Sequence, residues 1–247
     1  MLYLIVFLLG LAMGSFFNVC IYRLPRGESI ISPHSHCTSC NTKLKPIDMI
    51  PVLSYIFLKG RCRYCGFHIS IRYPLVELAT GLIYLFTFIY FGFTYLTIKY
   101  IILFSGLIII FFTDLDVQII PDAVLLAVFI PGIIISIIFK ENLLNNFIGL
   151  AIGGGFLLLL VLIVPEGMGM GDVKLMAACG WYLGAWPTIL SLFLSFIIGA
   201  VVGLLLIAYR KRNMKDVIAF GPFLAIGSFI SVFYGNSIIN FYLNMLI

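Results

Sequence analysis

Charged side chains are scarce in this sequence of 247 residues, and their scarcity limits what the protein can be. Asp, Glu, Lys and Arg together make up 10% of the chain, whereas hydrophobic residues make up 62% of it. Soluble domains carry about 25% charged residues, so this composition excludes an ordinary soluble protein. We therefore predict an all-α polytopic membrane protein.

Hydrophobic runs that approach the length of a transmembrane helix, roughly 20 residues, occur about eight times. They cover residues 2–20, 74–92, 97–113, 122–139, 143–164, 173–185, 187–209 and 217–245. The sixth run is short, and Gly and Pro interrupt the eighth. The first run lacks a preceding basic region and a following A-x-A-like cleavage site, so we interpret it as a transmembrane helix and not as a removed signal peptide.

Basic residues are distributed unevenly among the segments between these runs. With an outside N-terminus, the cytoplasmic segments are residues 23–73, 114–121, 165–172 and 210–216. These segments and the adjoining helix ends hold 13 of the 15 basic residues, and only Lys99 and Lys140 lie on the other side. Because Lys and Arg are enriched in cytoplasmic loops, this asymmetry predicts the orientation. The net charge of +5 therefore indicates membrane orientation and not nucleic-acid binding.

The one sizeable polar segment, residues 23–73, contains two CxxC pairs, Cys37 with Cys40 and Cys62 with Cys65. This spacing is typical of a zinc ribbon, in which each pair supplies two thiolates to one tetrahedral Zn²⁺. A redox or disulfide role is the alternative, but a cytoplasmic location keeps thiols reduced. Because a catalytic zinc keeps one position open, four cysteine ligands predict a structural metal.

The other cysteines and the histidines have simpler interpretations. Cys20 and Cys179 fall in apolar runs, where we expect them to be small buried hydrophobic residues. His34, His36 and His68 flank the CxxC pairs. Since four cysteines complete a zinc site, we expect these histidines to be surface residues or neighbours of the ligands.

Acidic residues form two groups at predicted cytoplasmic helix ends. Asp114, Asp116 and Asp122 lie in FFTDLDVQIIPD, and Asp172 lies in GMGMGD. An ionisable residue at the edge of a span is a functional-site candidate. Two carboxylates from different helices could share one proton, so that one acts as a base on water and the other as an acid toward a carbonyl. This pattern predicts peptide-bond hydrolysis without a metal or a nucleophilic serine.

Each aspartate taken singly also has a structural interpretation. Asp172 would be an ordinary helix N-cap, and Asp114 and Asp116 would reach toward the headgroups from a helix end. The glycines before Asp172 favour the functional interpretation. We expect Gly169 and Gly171 to let the backbone turn and approach a neighbour closely.

The ordered motifs resemble type IV prepilin peptidases, which are membrane-embedded aspartic proteases of the GxGD class. The resemblance covers nearly the full chain, and the ordered set is more specific than any single motif. It rests on GSFFNVCIYRLPRG at 14–27, the CxxC pairs, RYPLVELATG at 72–81, TDLDVQIIPD at 113–122 and GMGMGDVKL at 167–175. Phe17 stands where the family often has Leu, a difference that we expect to be neutral.

The resemblance implies that Asp114 and Asp172 are the catalytic residues. Asp114 is the first position of the family's D-x(7)-D motif, and Asp172 is the aspartate of GxGD. Asp116 lies outside the matched positions, so we assign it to support or to solvent. Asp122 follows a proline at the start of a span, which favours an N-cap. For Lys174 we favour anchoring at the lipid headgroups over an effect on the aspartates.

The resemblance also implies the substrates and the location. The substrates would be precursors of type IV pilins, or of pilin-like proteins in secretion or competence systems, whose basic leader is cut off after a glycine. The enzyme would be a multi-pass protein of the bacterial inner membrane with its active site facing the cytoplasm. We divide the chain into a first transmembrane helix at 1–22, the zinc-binding loop at 23–73 and a protease core at 74–247. Candidates for contact with the leader are Glu28, Asp48 and Glu166.

Many members of this family also N-methylate the new N-terminus with S-adenosylmethionine, and members with the cysteine-bearing loop resemble the bifunctional type. Candidates for the methyl-donor site lie at or near the cytoplasmic face. They are Gly14, Asn18, Arg23, Glu77 and Gly81. The alternative is that these residues only pack and cap helices. The chain has no G-x-G-x-x-G motif after a strand that would support cofactor binding independently.

Other functions are compatible with parts of the pattern. Presenilin-like and signal-peptide-peptidase-like proteases also use GxGD, but they carry a YD motif where this chain has Thr113-Asp114, and they lack the four-cysteine loop. A proton- or metal-coupled transporter would place its aspartates in mid-span. A peptidase without methyl transfer, or a non-catalytic assembly factor with a zinc docking loop, completes the alternatives.

Overall fold

The computed structural model describes residues 1–164, 168–209 and 218–246, and in these ranges the regular structure is helical apart from two isolated β-bridges. The chain divides into two compact units, Met1–Thr97 and Ile98–Ile247. Glu166 and the basic residues between 210 and 216 lie outside the described residues.

The first unit contains two long helices joined by a polar segment. Helix α1 is Leu2–Arg23 and helix α3 is Arg72–Phe91. Between them lie 3₁₀ turns at Leu24–Arg26 and Pro46–Met49, followed by the short helix α2 at Leu53–Phe57. Proline occupies the first or second position of both 3₁₀ turns, where its missing N–H costs no helical hydrogen bond.

Helices α1 and α3 pack with their backbones in close contact because glycines leave room at the crossing. A Cβ added to Gly14 would lie 2.6 Å from Glu77 Cα, and one added to Gly10 would lie 2.7 Å from Gly81 Cα. Small residues at such crossings are the usual means of close helix packing in membranes. Gly14 and Gly81 therefore have a packing role in this structure.

The described residues of the second unit form six helices, each of which matches a predicted hydrophobic run. They are α4 (Tyr95–Val117), α5 (Asp122–Ile138), α6 (Leu143–Ile163), α7 (Met170–Leu183), α8 (Ala185–Ala208) and α9 (Gly221–Leu246). The glycine-rich stretch GLAIGGG at 149–155 lets α6 pack closely against α7. Gly149 of α6 meets the backbone of Gly180 in α7, and a Cβ on Gly153 would lie 2.5 Å from Met176 O.

Five of the described helices are long and apolar enough to cross a membrane, as judged by length and composition. They are Leu2–Arg26, which includes the turn after α1, together with α3, α4, α6 and α8. Helix α5 and the Gly221–Gly235 part of α9 are apolar but shorter, and α7 has 14 residues. The predicted class, an all-α polytopic membrane protein, is confirmed.

A buried ion pair joins α4 to the linker between α5 and α6. Lys99 is 3% exposed, and its Nζ lies 2.8 and 2.7 Å from the two carboxylate oxygens of Glu141. Ser136 and Asn146 donate further hydrogen bonds to Glu141. Two buried charges are tolerated when they are paired and hydrogen-bonded in this way, so the cluster fixes how these helices meet.

Candidate active site

Asp114 lies near the end of α4, which continues four residues beyond the predicted run and so carries the aspartate as part of the helix. Its side chain is buried, with 5% of the residue exposed. Asp114 Oδ2 accepts a hydrogen bond from the backbone N–H of Gly221 at 2.9 Å. Gly221 is the first residue of α9, where the N–H groups have no partner within the helix and attract negative charge.

Any side chain at position 221 would require the Asp114 carboxylate to move. A Cβ at this position would lie 2.7 Å from Asp114 Oδ2 and 3.2 Å from its Cγ. The absent side chain is thus a condition of the hydrogen bond. Gly221 was not among the residues predicted from the sequence. The Gly-Pro pair at this point in the last hydrophobic run indicates a helix start but does not indicate a contact with Asp114.

Asp172 lies in the first turn of α7 and is 8% exposed. Its Oδ2 accepts a hydrogen bond from the Gly169 backbone N–H at 3.3 Å. Its Oδ1 is buried and has no hydrogen-bond partner among the described residues. The carboxylates of Asp172 and Asp114 are close enough for their charges to interact. The structure therefore brings together the two aspartates that the sequence singled out.

The structural interpretation of Asp172 accounts for only one of its oxygens. Gly169 is the N-cap of α7, and Asp172 stands three residues later, the position from which an acidic side chain caps the N-cap N–H. Asp172 is thus not itself the N-cap. Oδ2 fills the capping role, and Oδ1 is left in a buried position without a hydrogen-bond partner among the described residues.

The two glycines before Asp172 behave differently from each other. Gly169 has φ −82° and ψ 152°, an extended conformation open to any residue, so the predicted need for a glycine turn there is wrong. Gly171 does allow a close approach, because a Cβ there would lie 3.0 Å from the Cβ of Ile120. That contact places the start of α7 against the linker between α4 and α5.

Asp116, Asp122 and Lys174, which belong to the same motifs, lie at the surface. Helix α5 has Pro121 at its N-cap position, so the prediction that Asp122 is the N-cap is wrong. Asp122 Oδ1 instead accepts from Lys174 Nζ at 2.7 Å, and the two side chains are 65% and 51% exposed. Asp116 is exposed, as expected for a supporting or solvated residue.

The four cysteines of the first unit converge on one point. Their sulfur atoms all lie within 4.8 Å of one another, with Cys37 Sγ and Cys65 Sγ 3.8 Å apart. Four sulfurs each about 2.3 Å from a central zinc would be about 3.8 Å apart, so the group fits a tetrahedral metal site. None of the four forms a disulfide. Among the described residues, the group contains cysteines and no histidine.

The two CxxC pairs adopt the same local fold. The N–H of Cys37 donates to Thr42 O at 3.0 Å, and the N–H of Cys62 donates to Phe67 O at 2.8 Å. The residue before this acceptor has positive φ in both turns, 55° at Asn41 and 73° at Gly66. Histidines take part in the flanking β-bridges, His36 with Lys43 and His68 with Arg61, and so brace the turns.

Sequence comparisons agree with this arrangement. Residues 8–91 match the bacterial peptidase A24 N-terminal domain, and residues 101–204 match the type IV leader peptidase family. A prepilin leader peptidase/N-methyltransferase of Bacillus subtilis is 35% identical over 243 residues, covering 98% of both chains. The chain belongs to the type IV leader peptidase family. No solved structure shows significant similarity to it.

Two further relatives carry the same name as the Bacillus protein. The Aeromonas salmonicida protein is 34% identical over 280 residues, and the Legionella pneumophila protein is 35% identical over 277 residues. Each alignment covers 98% of this chain and 94% of the relative. The likeness to the family therefore extends over both units.

Three of the residues considered for a methyl-donor site have internal partners. Arg23 is buried and donates to Ser29 O at 2.9 Å and to Pro33 O at 2.7 Å. Glu77 Oε2 accepts from the Val52 N–H at 2.7 Å. Asn18 donates to Tyr73 O at 3.0 Å. These contacts tie the ends of α1 and α3 to the polar segment.

Two features of the same region would still accommodate a ligand. Asn18 Oδ1 is buried and has no hydrogen-bond partner among the described residues. A cleft of about 260 Å³ with mixed polar and apolar walls lies beside the end of α1, where Ser15, Arg23 and His34 line it together with apolar residues. Small-molecule pockets begin at about 300 Å³, so the cleft is at the lower limit for such a ligand.

Proposed function

We propose that this protein is an intramembrane aspartic endopeptidase that removes the basic leader of type IV prepilins or pilin-like precursors after a glycine. The observation that supports this most strongly is the pair of buried carboxylates from α4 and α7, one of which has an oxygen without a partner among the described residues. A buried carboxylate is costly in a membrane protein and is retained where it has a function.

The two aspartates perform complementary steps in this proposal. Asp114 takes a proton from a water molecule, whose oxygen attacks the carbonyl carbon of the scissile bond while Asp172 gives its proton to the carbonyl oxygen. The tetrahedral intermediate then collapses: one of its hydroxyl groups returns a proton to Asp172 as the carbonyl re-forms, the C–N bond breaks, and the leaving amine takes up the proton held by Asp114. Both carboxylates accept a backbone N–H at the start of a helix, but the hydrogen bond to Asp114 is the shorter, 2.9 Å against 3.3 Å. Asp172 Oδ1 faces no donor among the described residues, so we assign the base to Asp114 and the proton to Asp172.

A second activity, N-methylation of the new N-terminus, is proposed from the relatives' names and from the first unit. S-adenosylmethionine would supply the methyl group when bound. Asn18 and Glu77 would hold this cofactor, since both lie buried near the ends of α1 and α3 that join the polar segment. Asn18 Oδ1 is an acceptor without a partner among the described residues. Arg23 shapes the adjoining cleft and Gly14 lets the two helices meet.

We further propose one structural zinc ion on Cys37, Cys40, Cys62 and Cys65. The protein would lie in the bacterial inner membrane with both aspartates toward the cytoplasm, the side on which the leader of a prepilin begins. The positive charge of residues 23–73 supports this orientation.

Of the three acidic residues considered for contact with the basic leader, Glu28 suits the role best. Glu28 is exposed, and Glu166 lies outside the described residues. Asp48 already has partners: burial would raise its pKa, but hydrogen bonds from Arg63, the Lys45 N–H and Tyr64 hold the pKa below its ordinary value. A carboxylate with three internal donors has little capacity left for a substrate.

One experiment tests both proposed activities. The purified protein is incubated with a prepilin and S-adenosylmethionine, and the N-terminal mass of the product is measured. A cleaved product carrying one extra methyl group is expected. A cleaved but unmethylated product would make the protein a peptidase only, and an uncut precursor would favour the assembly-factor alternative.

Methyl transfer can also be measured separately from cleavage. Mature pilin with a free N-terminal amine is supplied to Asp172→Asn and to Glu77→Gln. Asp172→Asn should still methylate it, because methyl transfer does not need the pair of aspartates. Glu77→Gln should lose methylation more than cleavage, and an equal loss of both would remove Glu77 from the methyl-donor site.

A further inference from the structure

The polar segment between α1 and α3 contains a stretch whose apolar side chains point outward. Residues 46–58, PIDMIPVLSYIFL, form this apolar ridge. Its exposed apolar side chains are Ile47, Met49, Ile50, Leu53, Ile56 and Phe57. Phe57 is 80% exposed. A contiguous exposed patch of this kind on a polar segment marks a contact surface.

Helix α2 shows that this exposure follows from how the ridge is folded. Leu53, Ile56 and Phe57 are spaced i, i+3 and i+4, so they share one face of the helix, and that face is exposed. Ser54 points the other way, is buried, and donates through its hydroxyl to Ile47 O at 2.7 Å. A helix at an aqueous surface has the opposite arrangement, with its polar side outward.

A hydrogen bond fixes the level of the ridge along the neighbouring helices. The N–H of Val52 donates to Glu77 Oε2 at 2.7 Å. Glu77 stands five residues after Arg72, the first residue of α3, which corresponds to about 8 Å along the helix axis. Because α3 is long and apolar enough to cross a membrane, its first turns mark the membrane boundary, and the ridge lies at that level.

The charges next to the ridge complement an anionic surface. Lys43, Lys45, Lys59 and Arg61 immediately flank it in sequence, and all four are exposed. Asp48, the one acidic residue within the ridge, is neutralised by an ion pair with Arg63 at 2.6 Å. Basic residues beside a membrane boundary are attracted to anionic lipid headgroups, and apolar side chains beside them enter the upper acyl region.

We propose that the apolar ridge lies in the interfacial layer of the leaflet where α1 ends and α3 begins, and that its partner is the lipid bilayer. Leu53, Ile56 and Phe57 contact acyl chains, while the flanking lysines contact anionic headgroups. The metal-binding turns are thereby held at the membrane surface. The proposal concerns the first unit and does not depend on the catalytic assignment of the aspartates.

Photocrosslinking of the full-length protein in vesicles tests this proposal. Phe57 is replaced by p-benzoylphenylalanine, a change of similar shape at an exposed position, in vesicles of phosphatidylcholine and phosphatidylglycerol. Thr38, which is exposed in the first CxxC turn, receives the same group as a matched control. We expect a lipid adduct at position 57 in several-fold higher yield than at position 38, identified by its mass.

The nature of the crosslinked product shows whether lipid or protein covers the ridge. The same lipid adduct is expected when Ile56 carries the photoreactive group. A crosslink from position 57 to another part of the chain or to a second copy, in place of the lipid adduct, would show that protein covers the ridge and would overturn the proposal. A lipid yield at position 57 no higher than at position 38 would place the ridge in water and would also overturn it.

Discussion

The cysteine group and the aspartate pair are both small sets of reactive side chains, but the fold assembles them in different ways. Each cysteine pair spans four residues and is shaped by its own turn, so most of the metal site is built locally. Asp114 and Asp172 are 58 residues apart, and each depends on a backbone N–H, from Gly221 and Gly169 respectively. We therefore expect the metal site to lose its metal only when a ligand is removed. The aspartate pair should lose activity when an aspartate is replaced and also when a helix that carries or contacts it shifts slightly.

Replacing either aspartate by asparagine should have the largest effect on cleavage. Asp114→Asn and Asp172→Asn each remove a proton-transfer group, which contributes about 10²–10⁴-fold to a rate. The measurement is the rate of prepilin cleavage, with the helix content and membrane insertion of each variant confirmed. Asp116→Asn is the matched control. Asp116 is exposed near the same end of α4, so this variant should lose little activity. Substantial cleavage by either of the first two variants would remove that residue from the catalytic pair.

The Gly221→Ala variant tests whether the activity of the aspartate pair depends on the close contact between Gly221 and Asp114. In Gly221→Ala the new Cβ would lie 2.7 Å from Asp114 Oδ2, so the carboxylate must move. A displacement of about 1 Å in an active site can cost about 10²-fold, so we expect a fall in kcat of about 10- to 100-fold.

The control for this variant is Gly155→Ala, because a Cβ at Gly155 in α6 meets nothing within 4 Å. Its kcat should equal that of the unmodified protein. If Gly221→Ala cleaves as fast as Gly155→Ala while Asp114→Asn is inactive, Asp114 is catalytic but Gly221 does not position it. If Asp114→Asn is active too, the catalytic assignment itself is wrong.

Removing two metal ligands should affect the first unit more than the aspartate pair. The Cys37→Ser, Cys40→Ser double variant leaves two thiols, too few to close a tetrahedral site, so zinc content should fall from about one per chain to near zero. Hydrogen exchange should increase within residues 23–73 and change little in α4 and α7. Methylation should fall more than cleavage does. A disulfide found in place of metal in the unmodified protein under reducing conditions would overturn the assignment.

These contrasts also explain how much of the protein could be predicted from sequence. All eight hydrophobic runs correspond to helices, because apolar composition over about 20 residues is a local property. The convergence of the cysteines was predicted from the spacing of the two CxxC pairs, because each pair is a local motif that supplies two ligands to one tetrahedral metal. The choice of Asp114 over Asp116 and Asp122 as the partner of Asp172 needed the family resemblance, since the local sequence does not distinguish among the three.

The contacts that were missed are the ones that join distant parts of the chain. Gly221 reaches Asp114 across 107 residues, and Lys99 pairs with Glu141 across 42 residues. Asp122 was wrongly predicted as an N-cap because a proline precedes it, while its actual partner, Lys174, is 52 residues away. No propensity or spacing rule reports such partners; they exist only once the helices have packed.

The smallest effect is expected from the ion pair between Lys174 and Asp122, which joins the start of α7 to the start of α5. Both side chains are more than half exposed, and exposed pairs contribute about 0–1 kcal/mol to stability.

Lys174 is nevertheless only two residues from Asp172, so Lys174→Gln tests whether the lysine charge affects the aspartate pair or contributes only to the surface ion pair. We expect cleavage to change by less than about threefold and its dependence on pH to stay the same, because water screens the charge of an exposed lysine. Asp122→Asn should give the same result, since it breaks the same pair from the other side. A shift of the pH profile in Lys174→Gln but not in Asp122→Asn would instead show that the lysine charge reaches the buried carboxylates, and the aspartate pair would then depend on the surface of the second unit as well as on its packing.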